Sequence, residues 1–438
     1  MLHYTRILAV ALFAATPLHA EIDIQPVTSE AGFEAWLVEE RSIPFVAIEV
    51  IFPGGAVLDD DERLGATSLM TELLSEGAGD LDSQGFAEAV ETTAGSIRFD
   101  AGRDSVSLRI RALTENRDEV MALARKALTE PRFDDDALER VRARTIASLE
   151  RDARNPNTIA ARSFNALAFE GHPYARPTDG TLESVAALTR DDIVAAHEAA
   201  LTRDRVLVGA AGDISAEDLG ALLDELLGDL PEATVDLPDY ADFTAPGGIT
   251  VVEHPGPQSV IAFGHAGIER DDPDFMAAFV MNEIFGGGRF GTRLMRELRE
   301  IRGLTYGVGT SVASGQHGDS FQGRLSTDNA RVGQVVELLR AEWEWLAEGG
   351  ITQADLERVQ TYLTGAYPLR FDGNASIAGT LASMQFQGFD IDYVNVRNDL
   401  VRAVTLEDIE RVTERMIDPE ALHFVIVGQP QGLEELSF

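Results

Sequence analysis

The chain has 438 residues, 74 of them acidic and 36 basic, for a formal net charge of −38. Such a charge repels phosphate backbones and anionic lipid, which disfavours nucleic-acid and membrane-surface roles. The absence of cysteine excludes a disulfide framework and thiolate chemistry, and the length suits two domains of ordinary size.

Residues 1–20 read as a secretory leader. Arg6 gives a basic start, Ile7 to Ala15 a short apolar stretch, and Ala20 a small residue before Glu21. A periplasmic or secreted location is therefore expected, with the mature chain beginning near residue 21. No later apolar run is long enough to suggest a membrane span.

The first half, residues 21–229, opens with strand-like runs at Trp36 to Val38 and Phe45 to Phe52, rich in β-branched and aromatic residues. Residues 64–76 carry apolar side chains at helical spacing, including Leu69, Leu73 and Leu74, and end at Gly77. A hairpin follows, Ser96 to Asp100 with Val106 to Ala112. Residues 115–170 then read as helix, broken near Pro131 and Asn155-Pro156, and Val206 to Ala211 is a last strand. The Pro-, Asp- and Gly-rich stretch 230–248 reads as a linker.

The second half, residues 249–438, repeats the first. Leu138-Glu139-Arg140-Val141 returns as Leu356-Glu357-Arg358-Val359, and Phe169-Glu170-Gly171 as Phe386-Gln387-Gly388. Leu188 to Ile193 returns as Val404 to Ile409, and Val38-Glu39-Glu40 as Val252-Glu253-His254, so all offsets fall between 214 and 218 residues. Agreement among separate blocks in the same element order signals duplication. The expected fold class is α+β, with two similar units, each a mostly antiparallel sheet carrying helices on one face.

The helix Gly65-Ala66-Thr67-Ser68-Leu69-Met70-Thr71-Glu72-Leu73-Leu74 resembles the zinc helix of the pitrilysin and insulinase family of metallopeptidases. In that family the helix carries HxxEH, and the resemblance extends over essentially the whole chain after the leader. Its two zinc histidines fall on Ser68 and Glu72 and its general-base glutamate on Thr71. Two imidazoles at i and i+4, a third ligand and an open water position make a catalytic zinc site. A serine, a threonine and one glutamate do not. The third ligand of the family falls near residues 147–150, where Glu150 is the carboxylate, and His172 in Gly171-His172-Pro173-Tyr174 matches a structural loop. No metal or other cofactor is expected on this chain.

Arg299-Glu300-Ile301-Arg302-Gly303-Leu304-Thr305-Tyr306-Gly307 is similar to the segment with which the same family contacts substrate. Taken alone, Arg299 reads as a solvated arginine and Tyr306 as a strand residue. Carried over from the family, they become substrate-binding residues, a guanidinium and a phenol able to hydrogen-bond a peptide carbonyl. Gly286-Gly287-Gly288-Arg289-Phe290-Gly291 satisfies G-x-G-x-x-G but follows a helical run, whereas a dinucleotide fingerprint follows a strand. It reads instead as a flexible turn leading to Arg299, with Phe290 expected in the core.

The resemblance thus implies a non-catalytic subunit whose partner bears HxxEH and zinc, acting together on peptides. The alternative is a periplasmic peptide-binding or scaffold protein unconnected with proteolysis. The sequence leaves homodimerisation open.

Overall fold

The computed structural model describes residues 22–434. The expected leader lies outside the described residues.

Phe45–Pro53 is almost continuously apolar and buried on both faces, as a central strand must be. It sits fourth in a six-stranded sheet ordered Gln25–Thr28, Glu34–Glu39, Leu207–Gly212, Phe45–Pro53, Ser105–Leu113, Ser96–Ala101. All pairings are antiparallel except that of Glu34–Glu39 with Leu207–Gly212. The second sheet, ordered Gly248–Glu253, His423–Gly428, Gln258–Ala266, Asp319–Asp328, Val308–Ser314, repeats the last five positions. Its one parallel pair, Gly248–Glu253 with His423–Gly428, is again the first.

The duplication extends to register. Val38 lies opposite Ala211, and Val252 lies opposite Val427. The two differences, 252 − 38 = 214 and 427 − 211 = 216, fall within the offsets seen in the sequence. The α+β class of two similar units therefore holds down to individual strand pairs.

Each sheet packs helices of its own half on one face. In the first half Leu69, Met70 and Leu73 meet Ile48, Leu108 and Ile110. In the second half Trp343 sits at the centre, its ring 4.9 Å from Phe285 and 5.6 Å from Phe263.

The opposite face of each sheet takes a helix from the other half. Helix Asn374–Phe386 lies on the first sheet, where Ala378 meets Ala47 and Ala211. Asn374 donates to the Phe45 carbonyl at 3.2 Å and Gln385 to that of Val208 at 2.8 Å. Reciprocally, helix Pro156–Ala168 lies on the second sheet, with Ala160 and Phe164 against Val260, Val425 and Val427. Residues 231–247 hold no helix or strand beyond an isolated bridge of Ala241 to Gly318, and Thr244 N donates to the Ala168 carbonyl at 2.8 Å.

Small residues allow the close approach. A Cβ at Gly209 would stand 2.1 Å from the Ala378 carbonyl oxygen. Gly209→Val is therefore expected to destabilise the protein by about 3 kcal/mol, read from the urea midpoint. Gly365→Ala, inside a helix with open space around it, should stabilise by about 0.5–1 kcal/mol.

Candidate functional site

Helix Ala66–Leu73 starts at Gly65, whose φ of 89° suits glycine, and its free amides are satisfied from a distance. The Asp59 carboxylate accepts from Gly65 N at 2.8 Å, Thr67 N at 3.1 Å and Thr67 Oγ1 at 2.6 Å. Burial pushes Asp59 up to about 6, and the hydrogen bonds from Thr67 and Gly65 oppose that rise.

Ser68 and Glu72, one turn apart, face a cleft of about 270 Å³ whose far wall is helix Asp135–Asp152. Ser68 Oγ donates to the Thr178 carbonyl at 3.2 Å. Glu72 Oε2 accepts from Arg144 Nη2 at 2.8 Å and Nε at 3.2 Å. Thr71 is buried and returns its hydroxyl proton to the Thr67 carbonyl at 2.7 Å. Ser148 lines the cleft, whereas Glu150 is exposed and outside its lining.

This donor set does not fit zinc. The cleft offers no imidazole, Glu72 is already engaged by a guanidinium, the other carboxylates in the lining, Asp152 and Asp179, do not stand at the two histidine positions, and Thr71 has no basic lone pair to take a proton from water. Among the described residues no three His, Cys, Asp or Glu side chains come together as a metal group. His172 instead caps the turn Pro173–Ala175, accepting from Tyr174 N at 3.2 Å.

The second candidate segment is built differently. Helix Phe275–Phe285 precedes the glycine-rich turn, whose Gly286 carbonyl accepts from Thr310 N at 2.6 Å. That turn packs on the strand Val308–Ser314 and does not follow one, contrary to what a nucleotide fingerprint requires. The chain then forms the π-helical segment Met295–Ile301 that carries Arg299.

A buried ion network fixes this segment. Glu297 accepts from Arg302 Nη1 at 2.6 Å and Arg296 Nη2 at 3.0 Å, and Arg293 spans from it to buried Glu342, 2.6 Å from Arg293 Nε. Burial works to raise the Glu297 carboxyl, but the hydrogen bonds from Arg302 and Arg296 and the Arg293 charge hold it below the ordinary range. Upon this base Arg299 lies 4.7 Å over the Phe290 ring. Phe290 is not a core residue as its apolar ring suggested: it is 70% exposed, its outer face given to that guanidinium. Tyr306 is a loop residue and not a strand residue, 88% exposed ahead of strand Val308–Ser314.

Phe290 and Gly307 border a cleft of about 870 Å³ between helix Pro156–Ala168 and the second sheet. It shares no lining residue with the Ser68 and Glu72 cleft. Within one chain the degenerate zinc helix and the Arg299 segment thus serve separate spaces. Sequence reasoning does not find Ser148 or Arg144, whose neighbours are set by packing between distant elements.

Ser148 lines the same cleft as Ser68 and Glu72. Adding Ser148→Glu to a Ser68→His/Glu72→His protein is expected to tighten zinc binding by at least about tenfold in competition titrations. Glu150→Gln in the same background should leave zinc affinity unchanged, because that carboxylate lies outside the cleft. Asp59 holds its proton more tightly in the folded state, because about 6 exceeds its ordinary 3.8. Its stabilising contribution is present below the unfolded value and is lost as pH rises through the folded one. Asp59→Asn should flatten the wild-type decline in urea midpoint across that window.

Comparison with known proteins agrees with this geometry. The insulinase (peptidase family M16) model matches residues 36–182, and the peptidase M16 inactive domain model matches residues 187–363. The chain is 26% identical over 395 residues to a Helicobacter pylori protein named non-peptidase homolog YmxG, covering 89% of this chain and 90% of that one. A solved structure titled peptidase M16 inactive domain, from Pseudomonas fluorescens, superposes with a TM-score of 0.87 at 27% identity, over 93% of this chain and 98% of that one. A chain of complex III from Candida albicans, at 14% identity and a TM-score of 0.75 over 95% of this chain and 98% of that one, shares the fold. The two models together match both halves of the duplicated fold, and the chain belongs to the insulinase family, peptidase M16.

Proposed function

We propose that this chain is the non-catalytic, substrate-binding subunit of an exported heterodimeric zinc peptidase, and that Arg299 and Tyr306 complete the partner's active site. The observation that carries this reading is the exposure of Tyr306 together with the Arg299 guanidinium held over Phe290, the latter on a segment anchored by ion pairs to the buried Glu297. The names of the Helicobacter and Pseudomonas relatives support the non-catalytic part, and the leader-like residues 1–20 support export. The Candida neighbour belongs to a multi-subunit complex, which supports association with other chains.

In this reading the partner's HxxEH helix holds the zinc that polarises the scissile carbonyl and activates water. Arg299 and Tyr306 donate hydrogen bonds to the peptide carbonyl and to the oxyanion that develops on it. Peptide backbone pairs with an open sheet edge, for which the outer side of Ser96–Ala101 is available, and such pairing gives affinity with little sequence preference.

The test is hydrolysis of a quenched fluorescent peptide library by the mature chain, alone and mixed with an HxxEH chain. Silence alone and chelator-sensitive cleavage in the mixture are expected. Activity of the chain alone would overturn the reading, and silence in both would favour a peptide-binding scaffold. Arg299→Ala should lower turnover by the mixture roughly 100-fold without altering co-elution of the two chains.

A further inference from the structure

A further cleft of about 550 Å³ lies between helix Phe275–Phe285, strand Val308–Ser314, and helices Asn374–Phe386 and Tyr393–Ala403. It shares no lining residue with the cleft beside Arg299. Three arginines converge on it, Arg270, Arg370 and Arg397. Several arginines of this acidic chain pair with carboxylates, as Arg293 does with Glu342 and Arg411 with Asp274. None of these three forms an ion pair with a described residue.

Arg270 and Arg397 lie instead against aromatic rings. Arg270 lies 4.9 Å over the Phe275 ring and donates to the Ser314 carbonyl at 3.2 Å. Arg397, 6% exposed, lies 4.6 Å over Tyr367 and donates to the Leu363 carbonyl at 3.0 Å and to Asn398 Oδ1 at 3.2 Å. Ring contacts cover guanidinium faces and leave the in-plane N–H donors to other partners, of which these carbonyl and amide oxygens take a part. The Arg370 side chain makes no hydrogen bond with a described residue, although its own carbonyl accepts from Ser376 Oγ at 2.7 Å. Burial pushes Arg270 and Arg397 down; at Arg397 the neighbouring Tyr393 and Tyr367 oppose that fall and the Arg370 charge adds to it. Asp319 acts on Arg270 from a distance and is itself engaged by the Tyr240 hydroxyl.

A second feature points the same way. Helix Asn374–Phe386 begins at Gly373 without a side-chain cap, and its first-turn residues Ala375 and Ser376 stand in the wall of the cleft. Free amides and the helix dipole there favour negative charge. Phe389 and Tyr393, stacked at 3.9 Å and 11° from parallel, add an apolar wall together with Phe279.

We propose that this cleft binds a small anionic ligand, its carboxylate or phosphate group held by Arg270, Arg370 and Arg397 and its apolar body resting on Phe279, Phe389 and Tyr393. Bringing three like charges together with no carboxylate in the lining costs free energy that an anion recovers.

Isothermal titration of the mature chain with 3-phenylpropionate, its uncharged amide and inorganic pyrophosphate tests this. Phenylpropionate should bind and the amide should not, and Arg370→Gln should weaken anion binding at least about tenfold while leaving the melting temperature unchanged. Pyrophosphate binding weakened by the same substitution would support the site with phosphate as its source. Absence of heat from both anions at millimolar concentration would overturn the proposal. So would equal affinity for acid and amide in the wild-type protein, whatever the variant does.

Discussion

The exchange of one helix between the halves is the contact on which the remaining architecture depends. Each sheet buries one face on its own helices, and its other face would expose apolar surface without the helix from the opposite half. The first sheet meets this demand with small residues, Gly209, Ala211 and Ala47, against which Ala378 packs almost backbone to backbone. The second uses Val260, Val425 and Val427 beneath Phe164. Neither half can close its core alone, so the orientation of the two is fixed by interlocking shape. The clefts arise from the same exchange, since helix Pro156–Ala168 walls the one beside Phe290 and helix Asn374–Phe386 walls the arginine-lined one.

Charge is used in three distinct ways within this acidic chain. Around Glu297 and Glu342 it is buried and paired, an arrangement that contributes geometric definition more than stability and suits a segment that must present Arg299 in one place. At the degenerate zinc helix the Arg144 guanidinium takes up the carboxylate of Glu72, so that pair is satisfied within the chain. In the cleft of Arg270, Arg370 and Arg397 positive charge stands with no carboxylate in the lining. The first two are complete in themselves, and the third is not.

Much of the fold was legible in the sequence. The offsets of 214 and 216 residues carried by the Val38 and Leu188 blocks reappear as strand register, because a repeat that keeps period two keeps the same side chains on the same sheet face. The helix expected over residues 64–76 was legible from its apolar spacing, and the structure holds its regular part to Ala66–Leu73. The short edge strand Gln25–Thr28 was missed, since four residues show too little alternation to separate strand from loop. Phe290 was misplaced because an aromatic ring normally marks the core, and only its neighbour Arg299 gives it reason to stand in solvent.

The sequence by itself determined the duplication, the α+β class and the loss of imidazole at Ser68 and Glu72, because these depend on residue identity and local period. Only the tertiary structure decided which helix covers which sheet, that Ser148 and not Glu150 faces the cleft, and that Arg270, Arg370 and Arg397 share one pocket. Those facts rest on contacts between residues far apart in the chain, where the side chains that meet are chosen by packing and leave no periodic trace.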